Sequence, residues 1–424
     1  MNNKKFVDMA AFAAMAMTLA GCGSNTAASD DSKIVTDIKN NVTITFWNTM
    51  GGDAGKELQS MTKAFMKKNP KIKVVLQNQS NYSDLQQKVT TTLQSPKNLP
   101  TLTQAYSSWL TDGIKDGTVV NLDPYINSDN AKLKFDGWKT DILPGLMQDV
   151  QVDGKTYGIP FNKSVEVLWY NKTLFKELNL KVPTNWDEFA EVSQKITDAK
   201  GIPGAGFDSL ANYYYTYLKD HGKEFTKKLD VQGKESKAAL EYYAQGIKKG
   251  YFRIAGSDGY LTTPFASQKV GMYIGSTAGE SFIKEGAQGK FEYAAAPYPG
   301  KYAIQQGTDI YMFSSATAEQ RTAAYLYMKF LTEKNNQINW ALKSGYIPVR
   351  KSAINDAEYA KSGAKVSAVL SDATKNLFIV PQTPGVQQAD DDTYKFMEKY
   401  LADPSQSVDD ALAQYKQTLD SDWE

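Results

Sequence analysis

The 424-residue sequence contains only one cysteine, Cys22, and one histidine, His221. A single cysteine cannot form a disulfide within the chain, and one residue of each type cannot complete a Cys/His zinc site. Ser–His and Cys–His catalytic pairs are disfavoured for the same reason. Because His221 lies in a polar Lys-Asp-His-Gly-Lys segment, we interpret it as a solvated surface residue. We therefore predict no metal and no cofactor.

The chain also lacks an excess of charge of either sign. It has 48 basic and 47 acidic residues, a formal net charge of +1, and so no chain-wide field that would hold a nucleic acid. Its 42% hydrophobic residues can build a large core, but beyond the N-terminal segment no apolar run reaches the roughly 20 residues that span a membrane. We predict a folded protein with no nucleic-acid partner.

Motifs that bind phosphate or carry out hydrolysis are missing. The sequence has no Gly-x-x-x-x-Gly-Lys-Ser/Thr, His-Glu-x-x-His or Gly-x-Ser-x-Gly, and Gly201–Gly206 has the wrong glycine order for a dinucleotide site. A carboxylate pair that hydrolyses glycosides stays open, because acidic residues are numerous. Asp390–Asp392 lacks the spaced oxygens of a calcium loop, and we predict that it forms a solvated first turn of a helix.

The N-terminus has the pattern of a lipoprotein signal. Two lysines precede the apolar stretch Met9–Ala20, and Leu-Ala-Gly stands directly before Cys22. The stretch is too short to cross a membrane, and small residues suit a signal peptidase. We predict a signal peptide over residues 1–21, a lipidated Cys22 and a disordered polar tether over 22–41; an ordinary signal peptide is the alternative. The protein would then sit on the extracellular face of the cell membrane, held only by its lipid.

The rest of the chain has the pattern of an α/β protein. Val42, Ile44 and Phe46 alternate with polar residues as in a half-buried strand, apolar residues at helical spacing follow, and Ile72–Leu76 is a second strand. Roughly 380 residues are too many for one ordinary domain, so we expect two lobes. Further strands are predicted at Leu102–Ala105, Glu166–Tyr170, Val270–Ile274 and Ile310–Phe313, and further helices at about 317–332 and 335–343.

Aromatic residues are abundant, at 12% of the chain, with 25 tyrosines. Tyrosine and tryptophan rings stack on the C–H faces of sugars, and their polar tips bond hydroxyls. The excess therefore suits a polyhydroxylated ligand, although packing in a core explains a run such as Tyr213–Tyr217 equally well.

Several longer motifs resemble one family. These motifs are Thr-Ile-Thr-Phe-Trp-Asn-Thr-Met at 43–50, Gly-Ile-Pro-Phe-Asn-Lys-Ser at 158–164, Trp-Tyr-Asn-Lys at 169–172, Ala-Ser-Gln-Lys-Val-Gly-Met at 266–272 and Ser-Gly-Tyr-Ile-Pro-Val at 344–349. The chain resembles family 1 extracellular solute-binding proteins of ABC importers, and within them the glycerol-3-phosphate-binding branch. The resemblance implies a type II periplasmic-binding-protein-like fold of two lobes, each a mixed β-sheet flanked by helices, hinged by crossing segments.

That resemblance also implies domain limits and partners. The N-terminal lobe would comprise residues 42–157 and about 304–342, and the C-terminal lobe 158–303 and about 343–424. The expected partners are a small polyol, sugar or glycerol phosphate and the transmembrane subunits of an ABC permease. The protein would be a monomer and not an enzyme.

Matching the branch position by position implies a set of ligand-binding residues. The matching residues are Tyr82, Ser164, Ser276, Gly307 and Tyr346. At two further positions the chain departs from the branch: Ser107 replaces an acid and Gln387 replaces an arginine. Because arginine grips phosphate in a charge-assisted, two-point bond, and the chain has only three arginines, these departures favour an uncharged ligand. Secondary candidates are Trp47, Trp109 and Trp169.

We therefore predict a lipid-anchored extracellular receptor that captures a small polyhydroxylated compound and delivers it to a permease. A sugar or oligosaccharide and a glycerol phosphate or glycerophosphodiester both remain open as ligands. A surface glycosidase with paired carboxylates and an adhesion lipoprotein without a transport role are the alternatives from other classes.

Overall fold

The computed structural model describes residues 34–380, 383 and 385–423. The predicted signal peptide and Cys22 lie outside the described residues. Within them, no helix has both the length and the apolarity to cross a membrane.

The strands follow the predicted α/β pattern, with bounds that differ from the sequence prediction mainly in the middle of the chain. They are β1 (Val42–Asn48), β2 (Ile72–Asn78), β3 (Leu102–Ala105), β4 (Gln151–Val152), β5 (Lys155–Thr156), β6 (Gly158–Asn171), β7 (Ala205–Phe207), β8 (Phe252–Ile254), β9 (Met272–Ser276), β10 (Tyr293–Ala296), β11 (Ala303–Met312) and β12 (Leu377–Phe378).

The helices begin at polar caps and often end at glycine. Asn81, Asn185 and Thr317 each accept a backbone N–H at a helix start, and Gly201 and Gly250 end helices in the left-handed conformation. The helices are α1 (Gly52–Lys68), α2 (Tyr82–Leu93), α3 (Thr111–Lys115), α4 (Asp123–Ile126), α5 (Pro144–Val150), α6 (Lys172–Glu177), α7 (Trp186–Lys200), α8 (Leu210–Asp220), α9 (Lys234–Lys249), α10 (Thr262–Ala266), α11 (Glu280–Ala287), α12 (Ala318–Leu331), α13 (Lys334–Ser344), α14 (Lys351–Ile354), α15 (Ala357–Ala360), α16 (Leu370–Ala373), α17 (Val386–Ala402) and α18 (Val408–Asp422).

The main sheet runs through both lobes in the order β2-β1-β3-β11-β6-β9-β7-β8, with β10 also paired to β6. Strands β1 and β2 are parallel, in register from Val42 with Ile72, as the predicted strand-helix-strand unit requires. The first half of β6 pairs with β11, and its second half pairs with β9 and β10. Strand β6 therefore crosses from one lobe to the other.

The first lobe packs helices on both faces of its sheet. Ile44 and Phe46 of β1 lie on the face that carries Phe65 of α1 in the main hydrophobic core. Trp47 points the other way and packs with Leu85 of α2 in a second cluster, as the alternation of β1 predicts.

The second lobe has an aromatic core. Tyr213, Tyr214 and Tyr215 of α8 are at most 2% exposed, and the Tyr213 hydroxyl donates to the carbonyl of Ala239 at 2.6 Å. For this tyrosine run, core packing is the correct explanation.

The predicted tether needs one correction. Ile34 and Ile38 pack against the main core, and Thr322 Oγ1 donates to the carbonyl of Val35 at 2.6 Å. Residues 34–41 are thus part of the folded unit rather than of a disordered tether, because their two isoleucines bury apolar surface against it.

Candidate functional site

A cavity of about 380 Å³ lies between the two lobes. Residues near α2 and β3 line it from the first lobe, α8 and α17 line it from the second, and β11 with the segment after β12 closes the back. Its lining residues are Tyr82, Gln86, Tyr106, Ser108, Trp109, Asp149, Ser209, Asn212, Ile304, Gln305, Gln306, Ile379, Val380, Val386, Gln387, Asp390 and Asp391. None of these described lining residues is a lysine, arginine or histidine.

A larger groove, of about 640 Å³, lies on the outer surface of the second lobe. Its wall mixes lysines with acids, and Lys219 and Lys223 are paired there with Glu224 and Glu235. We place the functional site in the cleft between the lobes because it gathers residues from both lobes, which is where binding sites concentrate.

One wall of the cleft is aromatic. The ring centres of Tyr82 and Tyr106 are 6.0 Å apart, and those of Tyr106 and Trp109 are 5.3 Å apart. Such a wall offers flat apolar faces together with hydroxyl tips. This suits the alternating C–H and O–H groups of a sugar or polyol.

A buried ion cluster supports the end of this wall. Lys163 Nζ lies 2.9 Å from Asp149 and 3.2 Å from Asp309, and it donates to the carbonyl of Gly307 at 2.9 Å. Burial opposes ionisation of Asp149, but Lys163 and the Ser107 hydroxyl outweigh it and lower its pKa. Burial raises the pKa of Asp309 well above its usual range. Lys163 therefore pairs with two acids, and burial opposes ionisation of one of them, Asp309.

The floor of the cleft includes two amide side chains, Asn212 and Gln306, which bond a buried carboxyl behind them. Glu166 Oε1 accepts from Asn212 Nδ2 at 2.9 Å and from Gln306 Nε2 at 3.4 Å. Burial, with a smaller contribution from the charge of Asp208, raises the pKa of Glu166 to about 8. Glu166 is thus mostly neutral at neutral pH.

Four of the sequence candidates lie at the cleft. Tyr82, Trp109 and Gln387 line the cavity. Tyr346 meets Tyr82 through their hydroxyls at 3.0 Å, and Asn162 Nδ2 donates to the Tyr82 hydroxyl at 3.0 Å.

Ser107 and Gln387, the two positions expected to depart from the glycerol-3-phosphate-binding branch, each form a hydrogen bond with an acidic side chain. Ser107 is 2% exposed and its hydroxyl donates to Asp149 Oδ1 at 2.5 Å, so a carboxylate is present beside Ser107 although residue 107 is not acidic. Gln387 Oε1 accepts from Ser108 Oγ at 2.9 Å, and its Nε2 donates to Asp391 at 3.1 Å. Gln387 therefore bonds across the cleft, from the second lobe to the first.

Gly307, next to the cleft, has a backbone conformation and surroundings that require glycine. Its φ is +83°, and a Cβ there would lie 2.1 Å from the carbonyl oxygen of Asn162, so only glycine fits. Its N–H donates to the Tyr106 hydroxyl at 3.3 Å.

The other candidates lie outside the cavity wall. Ser164 is buried on β6, and Ser276 caps the turn after β9 by accepting from the N–H of Ala278. Trp169 donates to the Ser276 carbonyl at 3.1 Å. Trp47 donates to Gln77 at 2.7 Å and packs in the cluster that contains Trp109, without lining the cavity itself.

Sequence reasoning did not select several cleft residues. Asn212, Gln305 and Gln306 lie at the floor, but no local pattern distinguishes them from surface amides. Asp390 was expected to be solvated, and this is wrong. It is partly buried and accepts from the Tyr215 hydroxyl at 2.8 Å, and burial raises its pKa to about 6.

Two lobes that share a crossing sheet and enclose a polar, aromatic cleft define a ligand-binding protein. No cluster of potential metal ligands occurs within the part of the chain that the structure describes. A family model for the bacterial extracellular solute-binding protein matches residues 60–366, well over half of the chain, so the chain belongs to this family. The family resemblance and the prediction of a non-enzymatic solute-binding protein are confirmed, against the glycosidase and adhesion alternatives.

Known relatives and structures agree with this assignment. The sn-glycerol-3-phosphate-binding periplasmic protein UgpB of Shigella flexneri serotype 5b (strain 8401) is 26% identical over 337 residues, which cover 73% of this chain and 75% of that protein. UgpB from Mycobacterium tuberculosis, solved in complex with glycerophosphocholine, has a TM-score of 0.78 at 21% identity, covering 90% of this chain and 98% of the other.

A second solved structure extends this comparison. The sugar-binding protein MalE from Xanthomonas citri has a TM-score of 0.77 at 20% identity, covering 90% of this chain and 97% of that one. The similarity confirms the predicted two-lobe type II fold.

Proposed function

We propose that this chain is the extracellular, lipid-anchored receptor of an ABC importer. It captures a small polyhydroxylated ligand, either a sugar or oligosaccharide or a glycerol phosphate or its diester, and delivers it to the transmembrane subunits of a permease. The observation that carries the proposal is the cleft between the lobes, where an aromatic wall faces buried amides. Relatives named for glycerol 3-phosphate and neighbours named for sugars support both ligand classes.

The cleft closes by movement of the two lobes, residues 42–157 with about 304–342 against 158–303 with about 343–424. One side-chain contact joins the lobes across the cleft, between Ser108 of the first lobe and Gln387 of α17. Because ligand binding and lobe movement are coupled, the ligand is expected to stabilise the lobes in the closed arrangement.

Calorimetry combined with small-angle scattering tests this proposal. Saturating ligand is expected to reduce the radius of gyration of the protein. Binding seen by calorimetry without compaction would contradict closure. The absence of any saturable binding of sugars, polyols, glycerol phosphate or glycerophosphodiesters would contradict the receptor function itself.

The ligand-binding residues that we propose are selected by family resemblance and by their position at the cleft. Tyr82, Gly307, Tyr346 and Gln387 are matched by resemblance and lie at or beside the cleft, and Trp109 lines it. Ser107 contributes indirectly, because its hydroxyl donates a hydrogen bond to Asp149, which lines the cavity.

The anchor is a separate part of the proposal. Lipidation of Cys22 predicts that Cys22→Ser leaves the protein unprocessed and unacylated, as mass spectrometry of membrane fractions would detect. Unchanged mass and membrane retention in the variant would contradict the anchor. A monomer is expected by light scattering of the soluble form.

A further inference from the structure

A hydrogen-bond relay of four residues leads from the end of β1 to the cleft. The backbone N–H of Thr49 donates to Gln104 Oε1 at 2.9 Å, and Gln104 Nε2 donates to Asn162 Oδ1 at 3.0 Å. Asn162 Nδ2 in turn donates to the Tyr82 hydroxyl oxygen at 3.0 Å. Gln104 and Asn162 are both 0% exposed, whereas Tyr82 lines the cavity. The relay therefore joins the interior of the first lobe to its binding wall.

The first member of the relay fixes the direction of every bond along it. A backbone N–H only donates, so the Gln104 atom that faces Thr49 is the carbonyl oxygen Oε1. The NH2 group of Gln104 then faces Asn162 and finds its acceptor in Oδ1. The NH2 group of Asn162 is consequently turned toward Tyr82, and the Tyr82 oxygen accepts from it.

A third strand holds the Asn162 amide without deciding its orientation. Thr308 Oγ1 lies 2.9 Å from Asn162 Nδ2 and 3.0 Å from Asn162 Oδ1. Because a hydroxyl both donates and accepts, Thr308 can bond the amide in either orientation. Thr308 is also 0% exposed. The amide is thus packed among β3, β6 and β11, and Gln104 determines which way it is turned.

Two tyrosine hydroxyls meet where the relay reaches the cleft. The hydroxyl oxygens of Tyr82 and Tyr346 are 3.0 Å apart, and either can be the donor. The bond between them uses one of their two protons. The bond from Asn162 uses a lone pair of Tyr82 and no hydroxyl proton. One proton of the tyrosine pair is therefore used neither within the pair nor by Asn162.

We infer that Asn162 is a positioning residue for ligand binding, because its amide holds the Tyr82 hydroxyl in place and leaves a hydroxyl proton of the tyrosine pair for an acceptor oxygen of the ligand. Asn162 acts through Tyr82 and does not itself line the cavity. A hydroxyl that is held before the ligand arrives loses less freedom on binding. This inference rests on the proposed receptor function and adds to it a residue from behind the binding wall.

Replacing Asn162 with aspartate tests the direction of the relay. Aspartate has nearly the same size, but an ionised carboxylate only accepts, so Tyr82 would donate to position 162 and its proton would be lost to the ligand. The probes are glucose, maltose, glycerol 3-phosphate and glycerophosphocholine, measured by calorimetry. We expect Asn162→Asp to weaken binding of the tightest of these probes at least about tenfold. Equal affinity of the folded variant would overturn the inference.

The matched control is a second buried asparagine of the same strand. Asn171 is 4% exposed, at the other end of β6, and its side chain accepts from the N–H of Leu174 at the start of α6. Aspartate caps a helix as well as asparagine does. We therefore expect Asn171→Asp to leave the affinity unchanged, and a loss equal to that of Asn162→Asp would overturn the specific role of Asn162.

A double-mutant cycle with Tyr82→Phe separates positioning from a general loss of structure. Tyr82→Phe should weaken binding, because the hydroxyl is gone. In that background Asn162 has no hydroxyl to hold, so adding Asn162→Asp should change the affinity by less than about threefold. Full affinity of Tyr82→Phe, or the same tenfold loss from Asn162→Asp in both backgrounds, would overturn the inference.

Gln104→Glu extends the test to the case in which Asn162→Asp does not fold. The glutamate still accepts from Thr49, but as a carboxylate it no longer donates to Asn162 Oδ1. We expect at least about threefold weaker binding, again suppressed by Tyr82→Phe. Unchanged affinity of folded Gln104→Glu would overturn the relay and leave the receptor function standing. If none of the four probes binds the unaltered protein, the receptor function is overturned, and the inference with it.

Discussion

Replacing Glu166 with glutamine tests the neutral state of the cleft floor. Glutamine has nearly the same shape, and its carbonyl oxygen can accept from Asn212 and Gln306 as Glu166 Oε1 does. The substitution removes the ability to ionise and replaces the second carboxyl oxygen with an NH2 group. Any difference between the two proteins that depends on pH therefore reports on the Glu166 carboxyl.

The expected magnitude follows from the pKa. Burial raises the pKa of Glu166 from 4.5 to about 8, and one pKa unit corresponds to about 1.4 kcal/mol. The folded protein holds the proton up to about pH 8, whereas the unfolded chain loses it near pH 4.5. The Glu166 contribution is thus fully present below pH 4.5 and is lost as the pH rises to about 8, by about 5 kcal/mol in all.

Urea unfolding at a series of pH values from 4 to about 9 measures this effect. We expect the stability of the unaltered protein to fall relative to Glu166→Gln over that range, with the variant the more stable of the two above about pH 8. Burial also raises the pKa of Asp208, to about 7, but Asp208 is present in both proteins, so the comparison largely cancels it. Parallel curves for the two proteins would refute a buried neutral Glu166.

Three further predictions concern other parts of the cleft. Lys163→Met leaves Asp149 without its buried countercharge and should cost about 3–5 kcal/mol in urea unfolding; a loss below about 1 kcal/mol would contradict the ion cluster. Gly307→Ala should destabilise by more than about 1 kcal/mol, since the left-handed backbone and the Asn162 carbonyl exclude a Cβ. Tyr82→Ala should weaken ligand binding by about 1–3 kcal/mol with the fold intact; full affinity by calorimetry would remove Tyr82 from the site.

Much of the fold follows from local sequence patterns. The alternation in β1 and the helical spacing of α1 predict the first strand-helix-strand unit, and the structure contains it with the expected register. Strand β6 was predicted only over Glu166–Tyr170, yet it begins at Gly158. Its first half contains a proline and a lysine, which are unusual in a buried strand. Two acids distant in sequence, Asp149 and Asp309, bond the buried ammonium of Lys163 in this half of the strand.

The site was predictable only where family motifs marked it. Resemblance selected Tyr82 and Gln387, and both line the cavity. Asn212, Gln306 and the Glu166 carboxyl that both of them bond come from three separate elements, and each stands in an ordinary local context. Their arrangement depends on the packing of α8 against the crossing strands, which no short pattern records.

The charges around the cleft bear on Ser107 and Gln387, the two positions at which we expect the chain to depart from the glycerol-3-phosphate-binding branch. An acid at position 107 would lie against Asp149, which already accepts the Ser107 hydroxyl, so both carboxylates would compete for Lys163. An arginine at position 387 would stand beside Asp391 and be neutralised there rather than remain available to a ligand. With Glu166 neutral at the floor and Lys163 fully bonded, no free positive charge remains among the described residues of the cleft. We therefore expect that a single arginine at position 387 would not by itself create a grip for phosphate.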